Sequence, residues 1–271
     1  MTFSRRLAAF KLKNGLVGFG DMLELVLEDE LKLKVDALIV DEAQDLSPLQ
    51  VDVVEMWASS CRYFAIAGDD DQAIFGFQGG DSEWLRRMAR THKLHVLEQS
   101  HRVPQAIHRL AQAIIADDKK RVEKPYAARD AEGAVDVINH RDLASVVDHR
   151  VDTMILARTR NQLAKVALAL ESAGVPFYLE KRGGKPRPKG EKSIKLTTMH
   201  GAKGREAEHV VVLSDWNRMP YATFNDRRHG GHEAELRVAF VTVTRAIERL
   251  TIVRPNGRYF FPFEDYYRRV I

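Results

Sequence analysis

Two short apolar runs, VDALIV at 35–40 and YFAIAG at 63–68, each break off in a row of carboxylates: DEAQD follows the first and DDDQ the second. Both runs are nearly continuous in apolar character and rich in branched side chains. That pattern fits strands of a parallel sheet covered on both faces, since a strand with one wet face would alternate. Between them, Ser47-Pro48 opens a helix, with serine as the cap and proline at the first helical position. Leu49, Val53 and Met56 or Trp57 would turn inward from it.

The same alternation runs along the rest of the chain. The segment up to about residue 34 reads as helical. KLHVLEQ (93–99) reads as a third strand and PQAIHRLAQAII (104–115) as a helix opened by proline. VDVIN (135–139) and TMILA (153–157) are strands, and NQLAKVALALESAG (161–174) is a helix with an Asn cap and Gly174 as its stop. SIKLTTMH (193–200) and HVVVLS (209–214) are strands, EAELRVAFVTVTRAI (233–247) is helical by periodicity, and RLTIV (249–253) is a last strand. Strands alternating with helices predict an α/β fold built on parallel sheets. One biased stretch, KRGGKPRPKGEK (181–192), carries six basic residues against one acid and reads as a basic loop.

A chain of 271 residues with 45% hydrophobic content supports one large or two modest domains with a real core. The net charge of +4 permits a nucleic-acid partner without requiring one. Cys61 is the single cysteine, which excludes a disulfide framework or a cysteine-based zinc site within the chain and points to a reducing compartment. No apolar run approaches the ~18 residues of a membrane span. The basic start, MTFSRRLAAFKLKNG, lacks the apolar region of a secretory signal.

A carboxylate at the carboxyl end of a parallel strand stands where open α/β sheets bind ligands. There Asp41 has the chemistry to hold Mg²⁺, and Glu42 to take a proton from a water attacking a γ-phosphate. Both also read as solvated acids at a strand end. Gln72, after the second run, has the reach for a γ-phosphate or an attacking water. Phe75 and Phe77 alternate in a glycine-rich loop, a spacing that suits stacking on unpaired bases or burial in a core.

The two stretches, in this order, resemble motifs II and III of the UvrD, Rep and PcrA family of superfamily 1 helicases. LEQSHR (97–102) resembles motif IV, with Ser100 and His101 where the family usually has an asparagine and an aromatic, and with Arg102 kept. KLTTMHGAKGREAEHVVV (195–212) resembles motif V and AELRVAFVTVTRAIERL (234–250) motif VI, so the likeness spans about residues 15 to 255. It implies two RecA-like lobes: 1–92, incomplete at its N-terminus, and 93–271, with the boundary near 91–96. It implies an ATP-dependent DNA helicase acting in DNA repair or replication, with Mg²⁺ and ATP as cofactors, single-stranded DNA as partner, no membrane, and the cytoplasm of a bacterium or phage-infected cell as location. Asp41 would coordinate Mg²⁺ and Glu42 would be the general base. Gln72 would sense the γ-phosphate, Arg102 and Arg245 would neutralise the transferring phosphoryl, and Glu206 and Gly204 would lie at the nucleotide. Thr198, His200, Phe75 and Phe77 would lie along the DNA. Phenylalanine there keeps the π-face of the family's tyrosine and tryptophan and loses the polar handle.

The family's phosphate loop, GxxxxGK[ST], is absent from the sequence. Gly184-Lys185 is followed by Pro186, and Gly190 to Ser193 is interrupted by Glu191. The expectation is therefore a truncated or split motor, inactive alone, whose phosphate loop belongs to a separate N-terminal segment or subunit. The alternative is a non-catalytic DNA-binding or regulatory module on a helicase-derived fold. An NTPase with an unrecognised phosphate site is disfavoured, because backbone cradles are hard to replace.

Overall fold

The computed structural model describes residues 3–179 and 193–271, so the basic stretch 181–192 lies outside the described residues. The chain divides into two compact units, one ending at His92 and one beginning at Lys93.

In the first unit, α1 (Phe3–Asn14) and α2 (Phe19–Glu28) precede β1 (Ala37–Val40), α3 (Pro48–Ala58), β2 (Tyr63–Ile66) and α4 (Glu83–Thr91). The strands β1 and β2 pair in parallel, from Ala37 opposite Tyr63 to Val40 opposite Ile66. Ser47 caps α3 as its sequence implies: its hydroxyl accepts from the Gln50 amide, and the Gln50 side chain returns to the Ser47 amide. The core joins Ala43, Val51, Val54 and Trp84 to Leu38, Val40, Phe64 and Ile66. The Trp84 indole N–H donates to Glu55 at 2.7 Å, tying α4 to α3. Val51 and Val54, with Val53, are the buried residues of α3, a shift from the inward set read from the sequence. The strands also depart from it. Both alternate in burial, and Ile39 is 75% exposed, because the described elements cover only the face carrying Leu38 and Phe64.

In the second unit, β3 (Gln99–Pro104), α5 (Gln105–Ile115) and β4 (Ala127–Arg129) lead into β5 (Ala134–Ile138), α6 (Leu143–Val146), β6 (Thr153–Ala157), α7 (Arg160–Ser172) and β7 (Phe177–Leu179). Then follow β8 (Ile194–Thr198), β9 (Ala207–Leu213), α8 (Arg218–Asn225), α9 (Gly231–Val243), β10 (Ala246–Val253) and α10 (Phe263–Arg268). Six strands form one sheet in the order β5-β10-β9-β6-β8-β7, and every pairing in it is parallel. The strands β3 and β4 make a separate parallel pair. Leu163, Val166 and Leu170 of α7 pack on Ile155, Leu196 and Val211 of the sheet. On α9 the buried residues run unbroken from Glu235 to Val243. Burial on this scale stabilises by ~1.5–3 kcal/mol for each large apolar side chain. The α/β class with parallel sheets is the one the sequence implies.

Three local readings are corrected. The strand expected at 93–99 lies at Gln99–Pro104 instead, because β4 supplies a pairing partner to that segment, with Gln99 opposite Ala127 and Pro104 opposite Arg129; Leu94 and Leu97 are exposed. The helix α9 ends at Val243, and Arg245 lies in the turn before β10, since β-branched residues from Thr242 on lower helix propensity. The cap of α7 is Thr159, which forms a reciprocal capping box with Gln162; Asn161 is already helical. Gly174 does terminate this helix, at φ +67°.

Candidate active site

The strand β1 delivers Asp41 and Glu42 to the carboxyl end of its pair. One Asp41 oxygen accepts the Glu42 amide N–H at 2.8 Å. Glu42 sits at φ +54°, the left-handed region that side chains rarely adopt. The residue that organises the site is one the sequence reading passed over. Gln44 is 2% exposed; its amide donates to Glu42 Oε2 at 2.5 Å, and its oxygen accepts the Asp69 amide at 2.9 Å. A neutral amide set among carboxylates is the available signal, because it alone can donate to one acid run and accept from the backbone of the other. Gln72 donates to Asp69 Oδ2 at 2.7 Å. Asp41, Glu42, Asp69 and Gln72 are thus joined through Gln44 and Asp69. Phe77 is 70% exposed on the following turn, with Phe75 6.1 Å away ring to ring.

These residues fit a hard divalent cation. Asp41 is exposed, uses one oxygen on its neighbour's backbone, and keeps an oxygen donor of the type Mg²⁺ takes, alongside waters and phosphate oxygens. Asp69, Asp70 and Asp71 also bring carboxylate oxygens within 4.8 Å of one another.

In the second unit, Arg102 on β3 and Glu206 ahead of β9 stand 104 residues apart in sequence and meet at 3.5 Å. With Ser100, His101 and Ile247 they line a cavity of about 420 Å³. Ser100 substitutes for asparagine by accepting the amides of Arg102 and Val103 on its hydroxyl. The Arg102 Nε is buried with no hydrogen-bond partner among the described residues. Arg245 is 2% exposed. Its guanidinium donates to the carbonyls of Val241 and Arg205 and to the Thr244 hydroxyl. Arg205 precedes Glu206, so residues from all three motif-like stretches converge on one corner. Gly204, at φ +74° with open space around it, lets the chain turn just before that corner.

Thr198 and His200 lie elsewhere. They follow the carboxyl end of β8, whereas Glu206 and Arg245 precede the amino ends of β9 and β10. Because the sheet is parallel throughout, the two groups occupy its opposite ends. The Thr198 hydroxyl accepts the Gly201 amide at 3.1 Å. Burial, and then the nearby Arg158 charge, push His200 down to about 4, so its imidazole is neutral at pH 7. Arg158 itself makes two bonds, at 3.0 and 2.7 Å, to the buried Glu235 of α9. Sequence reading missed this pair too. Its signal is a carboxylate on the apolar face of a helix, which demands a partner.

Comparison with known proteins matches residues 3–93 to the UvrD/REP helicase N-terminal domain and residues 184–256 to the UvrD-like helicase C-terminal domain. The ATP-dependent DNA helicase srs2 of Schizosaccharomyces pombe is 33% identical over 121 residues, 41% of this chain and 14% of that protein. DNA helicase II of Haemophilus influenzae is 25% identical over 191 residues, 61% of this chain and 26% of that one. The ATP-dependent DNA helicase PcrA of Leuconostoc citreum is 31% identical over 163 residues, 52% and 22% respectively. The chain therefore spans between 14% and 26% of the length of these relatives. No helix among the described residues is long and apolar enough to cross a membrane. With two domains of one family matched in chain order and the motif-bearing residues gathered at strand ends, the chain belongs to the UvrD-like superfamily 1 helicases.

Proposed function

We propose that the chain is part of the motor of a UvrD-type DNA helicase, coupling ATP hydrolysis to movement on single-stranded DNA, with its phosphate loop supplied by a separate or preceding segment. The observation that carries this reading is the meeting of Arg102 and Glu206 at one cavity, with Arg245 bonded to the carbonyl next to Glu206. Arg102 would place its guanidinium on a phosphoryl oxygen, and Glu206 would accept a ribose hydroxyl. Glu42, held by Gln44, would accept the proton of the attacking water, and Gln72 would orient that water. Asp41 would hold the magnesium ion, which when bound neutralises charge on the β- and γ-phosphates. Thr198 and His200 would face the DNA, and the eight residues from Met199 to Glu206 would connect the two ends of the sheet.

One observation favours the non-catalytic alternative: the Arg245 donors are spent on its own helix and the adjoining turn. The experiment that separates the readings is ATP hydrolysis by the purified chain with and without an added segment bearing GxxxxGK[ST]. The expected result is negligible turnover alone, restoration by the segment, and loss of the restored turnover in Glu42→Gln with nucleotide binding retained. Turnover by the lone chain of order 1–100 s⁻¹ overturns the need for a second segment; restored turnover that survives Glu42→Gln overturns the role of that residue.

A further inference from the structure

The segment after β9 and the segment after β10 are laid against one another. Asp215 and Phe260 form an antiparallel bridge, the Trp216 amide donates to the Tyr259 carbonyl at 2.8 Å, and the Phe261 amide to the Ser214 carbonyl at 2.9 Å. The Asp215 carboxylate accepts the amides of Asn256 and Gly257 and pairs with His140 beyond β5. A rigid platform results at the carboxyl ends of β9 and β10. On it Tyr259 meets Tyr221 of α8, ring centroids 5.3 Å apart and tilted by 47°, and the Arg258 guanidinium lies 4.7 Å over the Tyr259 ring. Arg218, one helical turn before Tyr221, shares that face of α8.

Two features set this patch apart. Most arginines around it hold carboxylates, as Arg158 holds Glu235, Arg249 holds Asp136 and Arg254 holds Glu264. The exposed Arg218 and Arg258 hold none among the described residues, and Asp215, the acid beneath them, is already engaged by His140 and two amides. The hydroxyls of Tyr221 and Tyr259 likewise have no hydrogen-bond partner among the described residues, whereas a tyrosine built into a core ordinarily finds one.

We propose that Tyr221, Tyr259, Arg218 and Arg258 form a binding subsite for single-stranded nucleic acid, one unpaired base stacking on the tyrosine pair and the arginines taking the flanking phosphates. Rings supply a surface that any base can use, and guanidiniums supply sequence-independent charge. A duplex offers no unstacked base to the rings. The platform stands at the same end of the sheet as Thr198 and His200, the end where open parallel sheets bind ligands. The inference rests on the single-strand reading above and adds to it a stacking site in the second unit.

The test is a fluorescence-anisotropy titration of the whole chain with labelled oligodeoxythymidine at several salt concentrations. Tyr259→Ala is expected to weaken binding by about tenfold, while Tyr259→Phe, which keeps the ring, binds as the parent does. Arg218→Ala with Arg258→Ala is expected to lower the slope of log affinity against log salt by about 1.4, two contacts at ~0.7 each. Should Tyr259→Ala misfold, the exposed double arginine variant decides, together with photocrosslinking of a 5-iododeoxyuridine oligonucleotide. Crosslinks on Tyr221 or Tyr259 support the site. Unchanged binding and salt slope in these variants, with Phe77→Ala weakened, overturn the subsite and leave the single-strand reading standing. No binding of the parent chain at low salt overturns both.

Discussion

Gly68 has no side chain because Gln44 stands where one would begin: a Cβ there would lie 2.7 Å from the Gln44 oxygen and 2.9 Å from Leu85 Cδ2. Gly68→Ala is expected to dislodge Gln44 from between Glu42 and Asp69 and to cost ~1–3 kcal/mol of overpacking, read as a lower urea midpoint. The acids around Gln44 were legible in the sequence, because a carboxylate after an apolar run marks a strand end. Gln44 was not, since its second partner lies 25 residues away and only the pairing of β1 with β2 brings it near. Two histidines carry a pH dependence. Burial first, with Arg158 beside His200 and Arg249 beside His209, depresses both to about 4. In the unfolded chain they titrate near 6.5, so the folded state prefers them neutral. That preference is fully present above about pH 6.5 and is lost as pH falls toward 4, with an upper bound of about 3 kcal/mol each. Urea unfolding followed from pH 7 to 4 should show the decline. Replacing His209, which bonds Thr251 inside the sheet, with Gln should flatten it.

Among the elements, α9 is held by charge as well as by apolar packing. Arg158→Ala would strand Glu235, 5% exposed at its side chain, and is expected to cost ~3–5 kcal/mol. Arg158→Ala with Glu235→Ala should cost less than the sum of the two single changes, a coupling that a double-mutant cycle by chemical denaturation measures. Element types were largely legible: the α3 cap, the α7 stop and the parallel strands follow from Ser47-Pro48, Gly174 and the branched apolar runs. What failed was whatever depends on a distant neighbour. Apolar character in KLHVLEQ did not make a strand, because the pairing partner, β4, engages the residues that follow. The short β4 and β7, with three residues each, have too little pattern to announce themselves. Ile39 and Tyr63 read as covered on both faces, yet alternate strand residues stand exposed, a difference that apolar content alone does not encode.

For the molecule as a whole, the division into two units places Lys93 to Glu98 outside regular structure, with Leu97 93% exposed. Brief chymotrypsin treatment is expected to cut after Leu94 or Leu97 before it attacks β6 or β9, with mass spectrometry of the fragments as the readout; earlier loss of the β6–β9 segment would show that the second unit is the weaker one. The order of strands in the large sheet bears on how the chain is made. β5 emerges first among its strands, but its neighbour is β10, which comes from residues 246–253. A ribosome will therefore have synthesised nearly the whole polypeptide before the edge at β5 can close, and pairings of such long sequence separation form slowly. Until then the nascent β5, β6 and β9 segments hold apolar faces without their final partner, the condition under which chains aggregate or recruit chaperones. The yield of soluble protein should accordingly depend on synthesis temperature and chaperone supply more than on the equilibrium stability of the finished fold.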